Sequence, residues 1–145
     1  MIAEFIQVLA QELPAVPIYV GLAGLDEHAH PPRLVVVPER ETLEAPTQYT
    51  FPALTGRPLY ARRVRLSLYL WANAYSDVEG MLAEVLTALR KRLGTLAQPR
   101  DGEWVEGGAI ALGVAYRLGL EVVAPVEERE QYVVLEQLAM ECCGG

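Results

Sequence analysis

Cysteine, histidine and lysine are scarce in this chain, and each scarcity excludes something. The 145 residues hold two Cys, adjacent at Cys142-Cys143 with only Gly144 and Gly145 after them. Adjacent cysteines cannot staple distant parts of a fold, and no third cysteine offers either one a partner. No C-x-x-C spacing and no neighbouring His supports a metal or redox centre there. The pattern fits a reducing cytoplasm. A single Lys stands against eleven Arg. No apolar run approaches the ~20 residues that span a bilayer. The start, Met-Ile-Ala-Glu-Phe, carries an acid where a secretory signal carries positive charge. The expectation is a soluble chain made in the cytoplasm. Motifs for catalysis are missing as well: there is no G-x-S-x-G, P-loop, G-x-G-x-x-G or H-E-x-x-H.

What is present is ample apolar material. Hydrophobic residues make up 52% and charged residues 21% of the chain, which excludes disorder. One domain spanning residues 1–145 is expected, large enough to fold without disulfides or metal. The net charge of −7 argues against a generic nucleic-acid binder, which shows a basic footprint. That total hides a distribution: residues 1–60 sum to −4, 61–100 to +4 and 101–145 to −7. Alternating sign means either self-neutralisation on folding or faces of opposite charge suited to association.

Periodicity predicts the elements. Ile2, Phe5, Ile6, Leu9 and Leu13 form one helical face, with Pro14 ending the helix. Val16–Val20 reads as an edge strand and residues 21–32 as a loop. Arg33–Pro38 reads as a strand covered on both faces. Residues 39–58 carry three prolines and no sustained period, which indicates an extended arm or hairpin holding Tyr49 and Phe51. Leu59–Ala72 is a strand with Val64, Leu66, Leu68 and Leu70 on one face and Arg63, Arg65, Ser67 and Tyr69 on the other. A capping box at Ser76-Asp77-Val78-Glu79 opens a helix with a stripe of Val78, Leu82, Val85, Leu86, Leu89 and Leu93. Arg90, Lys91 and Arg92 suit its C-terminal dipole, and Gly94 ends it. A loop through Pro99, Asp101 and Gly102 leads to a short strand, Trp104–Glu106. Ile110–Val123 is a long alternating strand whose second face is small or polar: Ala111, Gly113, Ala115, Arg117, Gly119, Glu121. Pro125 and Glu127-Glu128-Arg129-Glu130 form a turn, and Tyr132–Leu138 is a last strand or a short helix. The fold class is α+β: a mostly antiparallel sheet of four to five strands, two helices packed on one face, and a long arm between strands.

The residues carry little assembled chemistry, and no catalytic, metal or cofactor site is assigned. His28-Ala-His30 could offer two imidazoles, but a third ligand would have to come from afar. The acids Glu39, Glu41, Glu44 and Glu127, Glu128, Glu130 sit in turns, where solvated charge is ordinary. Arg62, Arg63 and Arg65 form a cluster in which Arg63 and Arg65 share a face. That face meets either solvent or a neighbouring subunit's Glu-rich turn. Arg117 lies on the small face of its strand, where close packing or a subunit contact is available.

The pieces together resemble the tail-terminator, or tail-completion, proteins of long-tailed bacteriophages. The resemblance rests on Pro32-Arg33-Leu34-Val35-Val36-Val37-Pro38 and on an insertion ending in Gly56-Arg57-Pro58. A strand running into Leu70-Trp71-Ala72 follows, and then the helix with Asp77-Val78-Glu79-Gly80-Met81-Leu82-Ala83-Glu84-Val85-Leu86. Gly113-Val114-Ala115-Tyr116-Arg117-Leu118 opens a closing strand that ends in Val123-Ala124-Pro125-Val126. The chain from 126 to 145 matches the pattern least. The resemblance implies a non-enzymatic protein of the virion neck that forms a homohexameric ring. Such a ring caps the tail tube, stops its polymerisation and docks the tail to the head connector or stopper. DNA passes the lumen only transiently, and Glu39, Glu41, Glu44, Glu127, Glu128 and Glu130 are the candidates for an acidic wall. Tyr49, Phe51, Arg57, Arg63, Arg65 and Arg117 are the candidate subunit or partner contacts, and no membrane is involved. A head-completion or stopper protein, a cytoplasmic protein-binding adaptor, and a small enzyme using the His28/His30 loop are the alternatives.

Overall fold

Apolar side chains at three- and four-residue spacing make Ile2–Glu12 a helix, α1, that buries Phe5, Val8 and Leu9. The computed structural model describes residues 2–25, 30–45, 58–105 and 112–127. After α1 come β1 (Ile18–Val20), a 3-10 turn (Leu22–Leu25), β2 (Arg33–Glu44), β3 (Pro58–Ala72), α2 (Tyr75–Leu93), β4 (Ala97–Val105) and β5 (Val114–Glu127). The strands form one five-stranded sheet in the order β1-β2-β3-β5-β4, mostly antiparallel, so the chain has an α+β fold. β1 is the exception. It runs parallel to β2 with Ile18 opposite Leu34, and the Leu34 N–H donates to the Pro17 carbonyl at 2.9 Å.

Internal contacts divide the chain into two units. The first, residues 1–41 and 64–122, holds the main core. Leu66, Leu68, Leu70 and Ala72 of β3 join Leu34 and Val36 of β2 and Leu118, Leu120 and Val122 of β5. Phe5, Leu9 and Leu13 from the first helical segment and Val78, Met81, Val85 and Leu89 from α2 enter the same cluster. The buried line of α2 includes Met81 and Ala88, while Leu82, Leu86 and Leu93 are half-buried, so the stripe is rotated from the expected one. The helices are tied at their ends as well: Arg92 donates to Glu12 at 3.2 Å and to Gln11 at 2.7 Å. The second unit comprises residues 42–63 and 123–145. Its described part consists of residues 42–45 and 58–63, with 123–127 of β5.

Several expectations are corrected. The strand expected to stop at Pro38 continues to Glu44. The stretch through Pro99, Asp101 and Gly102, expected as a loop, lies in strand β4, because an edge strand tolerates a proline and the register slips between Pro99 and Asp101. The Ser76 capping box does not form: the N-cap is Ala74, extended at φ −139° and ψ 156°, with no side-chain cap. Its carbonyl accepts the Val78 N–H, and Tyr75 enters the first turn, where its ring meets Trp104 at 5.0 Å. β5 begins at Val114, after Leu112 and Gly113, because Gly113 has φ +78° and breaks the alternation; Ile110 lies outside the described residues. A Cβ at Gly113 would run into the Ala72 carbonyl. β5 also continues to Glu127 through the turn expected at Pro125. Gly94 ends α2 as expected, its N–H reaching the Arg90 and Leu89 carbonyls. Among the described residues, no helix is long and apolar enough to cross a membrane. Residues 132–143 and most of the arm, 46–57, lie outside the described residues.

Candidate interaction face

Side chains alternate along a strand, so the β3 residues that miss the main core share the second face of the sheet. At one end that face is apolar. Trp71, Val35, Ala115 and Leu25 form a small buried cluster bordered by Val37, Tyr69 and Val105. The Trp71 Nε1–H donates to the Leu112 carbonyl at 2.5 Å. Arg33 spans the rim, its guanidinium carbon 4.3 Å from the Tyr19 ring centre and 5.5 Å from that of Trp71. Its N–H groups go to the carbonyls of His30 (2.9 Å) and Gly24 (3.1 Å). No carboxylate among the described residues pairs with it.

Toward the other end the face turns polar. Ser67 is fully buried. Its hydroxyl donates to Glu39 in a short hydrogen bond and accepts from Arg117 at 3.2 Å. Arg117 also donates to Glu103 at 2.8 Å and to Asp101 at 3.1 Å. The β4–β5 register builds this group by setting Glu103 opposite Arg117 and Asp101 opposite Gly119. Gly119 leaves room for the Asp101 carboxylate, which a Cβ there would displace. The Arg117 side chain is 18% exposed, whereas Asp101 and Glu103 are 61% and 64% exposed. The guanidinium is therefore enclosed and its counter-ions face outward.

Hydrogen bonding to Glu103, followed by that to Asp101, raises the Arg117 pKa, with burial opposing. A raised folded-state pKa stabilises the protein below the unfolded value and ceases to do so only as pH climbs past the folded one. For a guanidinium this contribution is constant through neutral pH. Replacing Arg117 with Met keeps the stem but leaves two carboxylates and a buried hydroxyl without their cation. The expected loss is about 2–3 kcal/mol, below the fully buried case because both acids are solvated. Thermal melting should show a fall of about 5–10 °C. A shift under about 2 °C would mean the network contributes nothing.

A polar cavity of about 300 Å³ lies on this strip, lined by Glu39, Arg65, Arg100, Asp101 and Arg117. Arg100 pairs with Glu121 at 3.4 Å. Arg65 is exposed there and makes no ion pair among the described residues. A larger cavity of about 510 Å³, where α2 ends and β4 begins, is lined mainly by Leu86, Leu89, Arg90, Thr95 and Pro99. Among the described residues, Arg90 is its one ionisable lining residue.

The residues singled out in the sequence are thus dispersed. Arg63 pairs with Glu44 in the second unit, Nε to Oε1 at 3.4 Å, a half-exposed pair worth about 0–1 kcal/mol. Arg117 and Glu39 meet through Ser67, with three Arg117 donors spent inside the chain. Glu41 is exposed on β2, and Glu127 is the last residue of β5. Tyr49, Phe51, Arg57, Glu128, Glu130 and His28 lie outside the described residues. His30 is exposed. Among the described residues, no group of three or more His, Cys, Asp or Glu could hold a metal ion.

β1 is an outermost strand, as expected of Val16–Val20, and β4 is the other; the exposed side chains at these two edges are not among the expected site residues. Tyr19 and Val20 on β1, with Leu22 just after it, are exposed, as are Tyr75 and Trp104 beside β4. The signal was present as aromatic and β-branched residues on short strands, but their outward placement depends on which strands are outermost. No known family model matches the sequence, and no curated protein is significantly similar to it.

Proposed function

We propose that this chain is a structural, ring-forming protein of the tail-terminator kind. Copies close into a ring, six in number as the resemblance implies, that caps the phage tail tube, ends its polymerisation and docks the tail to the head connector. The observation that supports this most is the outer part of β2, where residues 38–44 are all exposed. The stretch is held by its place in the sheet and by polar pairs, Glu39 with Ser67 and Glu44 with Arg63, and buries little apolar area of its own. Its exposed side chains are the surface on which a neighbouring copy or the tube protein packs. In this reading Glu39, Glu41 and Glu44, with the acids at sequence positions 127, 128 and 130, are the candidates for a lumen wall past which DNA slides without being held. The place of action is then the virion neck. Negative-stain images of the purified chain should show closed rings of one diameter. Single particles only, or open filaments of varying length, would overturn the proposal.

A further inference from the structure

We infer that copies of this chain join head to tail through opposite edges of the sheet, the β1 edge of one copy meeting the β4 edge of the next. This rests on the self-assembling reading above and names the contact that reading needs. The strand order makes β1 and β4 the two outermost strands. Each edge carries exposed apolar side chains: Val20 (54%) and Leu22 (66%) with Tyr19 at one, Tyr75 (55%) and Trp104 (39%) at the other. The second pair is stiffened by ring contacts, Tyr75 edge-on to Trp104 at 5.0 Å and Trp104 edge-on to Tyr116 at 5.2 Å.

The two edges differ in charge as well as in shape. On the β1 side, the Arg33 guanidinium stacks on Tyr19 and meets only carbonyl oxygens among the described residues. On the β4 side, Asp101 and Glu103 share the one guanidinium of Arg117, which leaves a carboxylate charge in excess beside Trp104. Aliphatic-plus-cation complements aromatic-plus-acid. Among the described residues, either edge set against its own copy would oppose like charges. A contact between two different patches is heterologous, and it generates a ring when its rotation closes. Pro99, the register slip after it and the charges along β4 discourage main-chain pairing at this edge. The contact is therefore side-chain packing and not a continued sheet.

Two double variants test this: Val20→Asp with Leu22→Asp, and Tyr75→Asp with Trp104→Thr. Each alone should stay monomeric in sedimentation velocity where the wild type assembles, with association weakened about 100-fold or more. Mixed in equal amounts at tenfold higher concentration, they should form a one-to-one dimer and nothing larger, because one intact contact remains between them. Circular dichroism melts separate misfolding from a lost contact. Should the Trp104 change unfold the chain, Tyr75→Asp alone carries the test. Wild-type-like assembly of either variant would overturn the edge contact and leave the ring reading standing, and so would a mixture that stays monomeric. A wild type that is itself monomeric at every concentration would remove the ring reading and this contact with it.

Discussion

Trp71→Ala should lower the melting temperature by about 10–20 °C. The indole is fully buried and is the largest member of the small cluster on the second face of the sheet, with Leu25, Val35 and Ala115. Truncating a buried Trp to Ala costs about 3–5 kcal/mol, because the lost transfer energy is joined by the cavity left behind. The cavity here cannot close easily. Val35 and Ala115 are held in β2 and β5, and Gly24 packs closely on Val35, with no space for a Cβ. Two further contacts vanish: the hydrogen bond to the Leu112 carbonyl and the indole face toward the Arg33 guanidinium. Trp71→Phe isolates part of this, since it keeps a ring and loses the N–H, and its cost should be near 1–2 kcal/mol. Differential scanning calorimetry measures both. A Trp71→Ala protein melting within about 3 °C of the wild type would mean the second face holds no true core.

Deleting Glu44–Thr55 should abolish assembly while moving the melting temperature by only a few degrees. The deletion removes no member of the main core, whose β2 residues end at Val36 and whose β3 residues begin at Leu66. Within the described residues it removes the Arg63–Glu44 pair, worth about 0–1 kcal/mol when solvated. Shortening the connection between two strands lowers its closure entropy by a similar amount in the opposite direction. These terms nearly cancel in the monomer. Assembly has no such compensation, because in the proposed ring the exposed end of β2 and the arm that follows it in the sequence add to the edge contact with a neighbour. Light scattering and calorimetry on one preparation decide the matter: a deletion that unfolds the chain would make the arm part of its core, and one that still assembles would free the arm of any role in the contact.

Legibility in the sequence followed the range of the interactions. α1 and the end of α2 at Gly94 were readable because their signals lie within a few residues, as was β3 with its alternation from Val64 to Leu70. β4 was not, because Pro99, Asp101 and Gly102 are turn residues by composition. They are tolerated in a strand only at an edge, with a register slip after Pro99 and with Gly102 keeping clear of the Tyr116 phenol. The start of α2 was misplaced because a ring contact between Tyr75 and Trp104, 29 residues apart in the chain, competes with a local hydroxyl cap. The Arg117 group was the least legible. Arg117 lies 50 residues from Ser67, which lies 28 from Glu39, so the group exists only once β2, β3 and β5 are adjacent. Arg117 is a candidate subunit or partner contact in the sequence, and alternation alone could not name its partners within the chain, Glu103, Ser67 and Asp101.

The ring is the central claim, and the solution mass of the unmodified chain tests it most directly. Size-exclusion chromatography with multi-angle light scattering, run over a hundredfold range of concentration, should give one discrete multiple of the 16.0 kDa chain, six being the value the resemblance implies. A mass of 16.0 kDa at every concentration would contradict it, and so would a continuous spread of growing species, which is the signature of a head-to-tail contact that never closes.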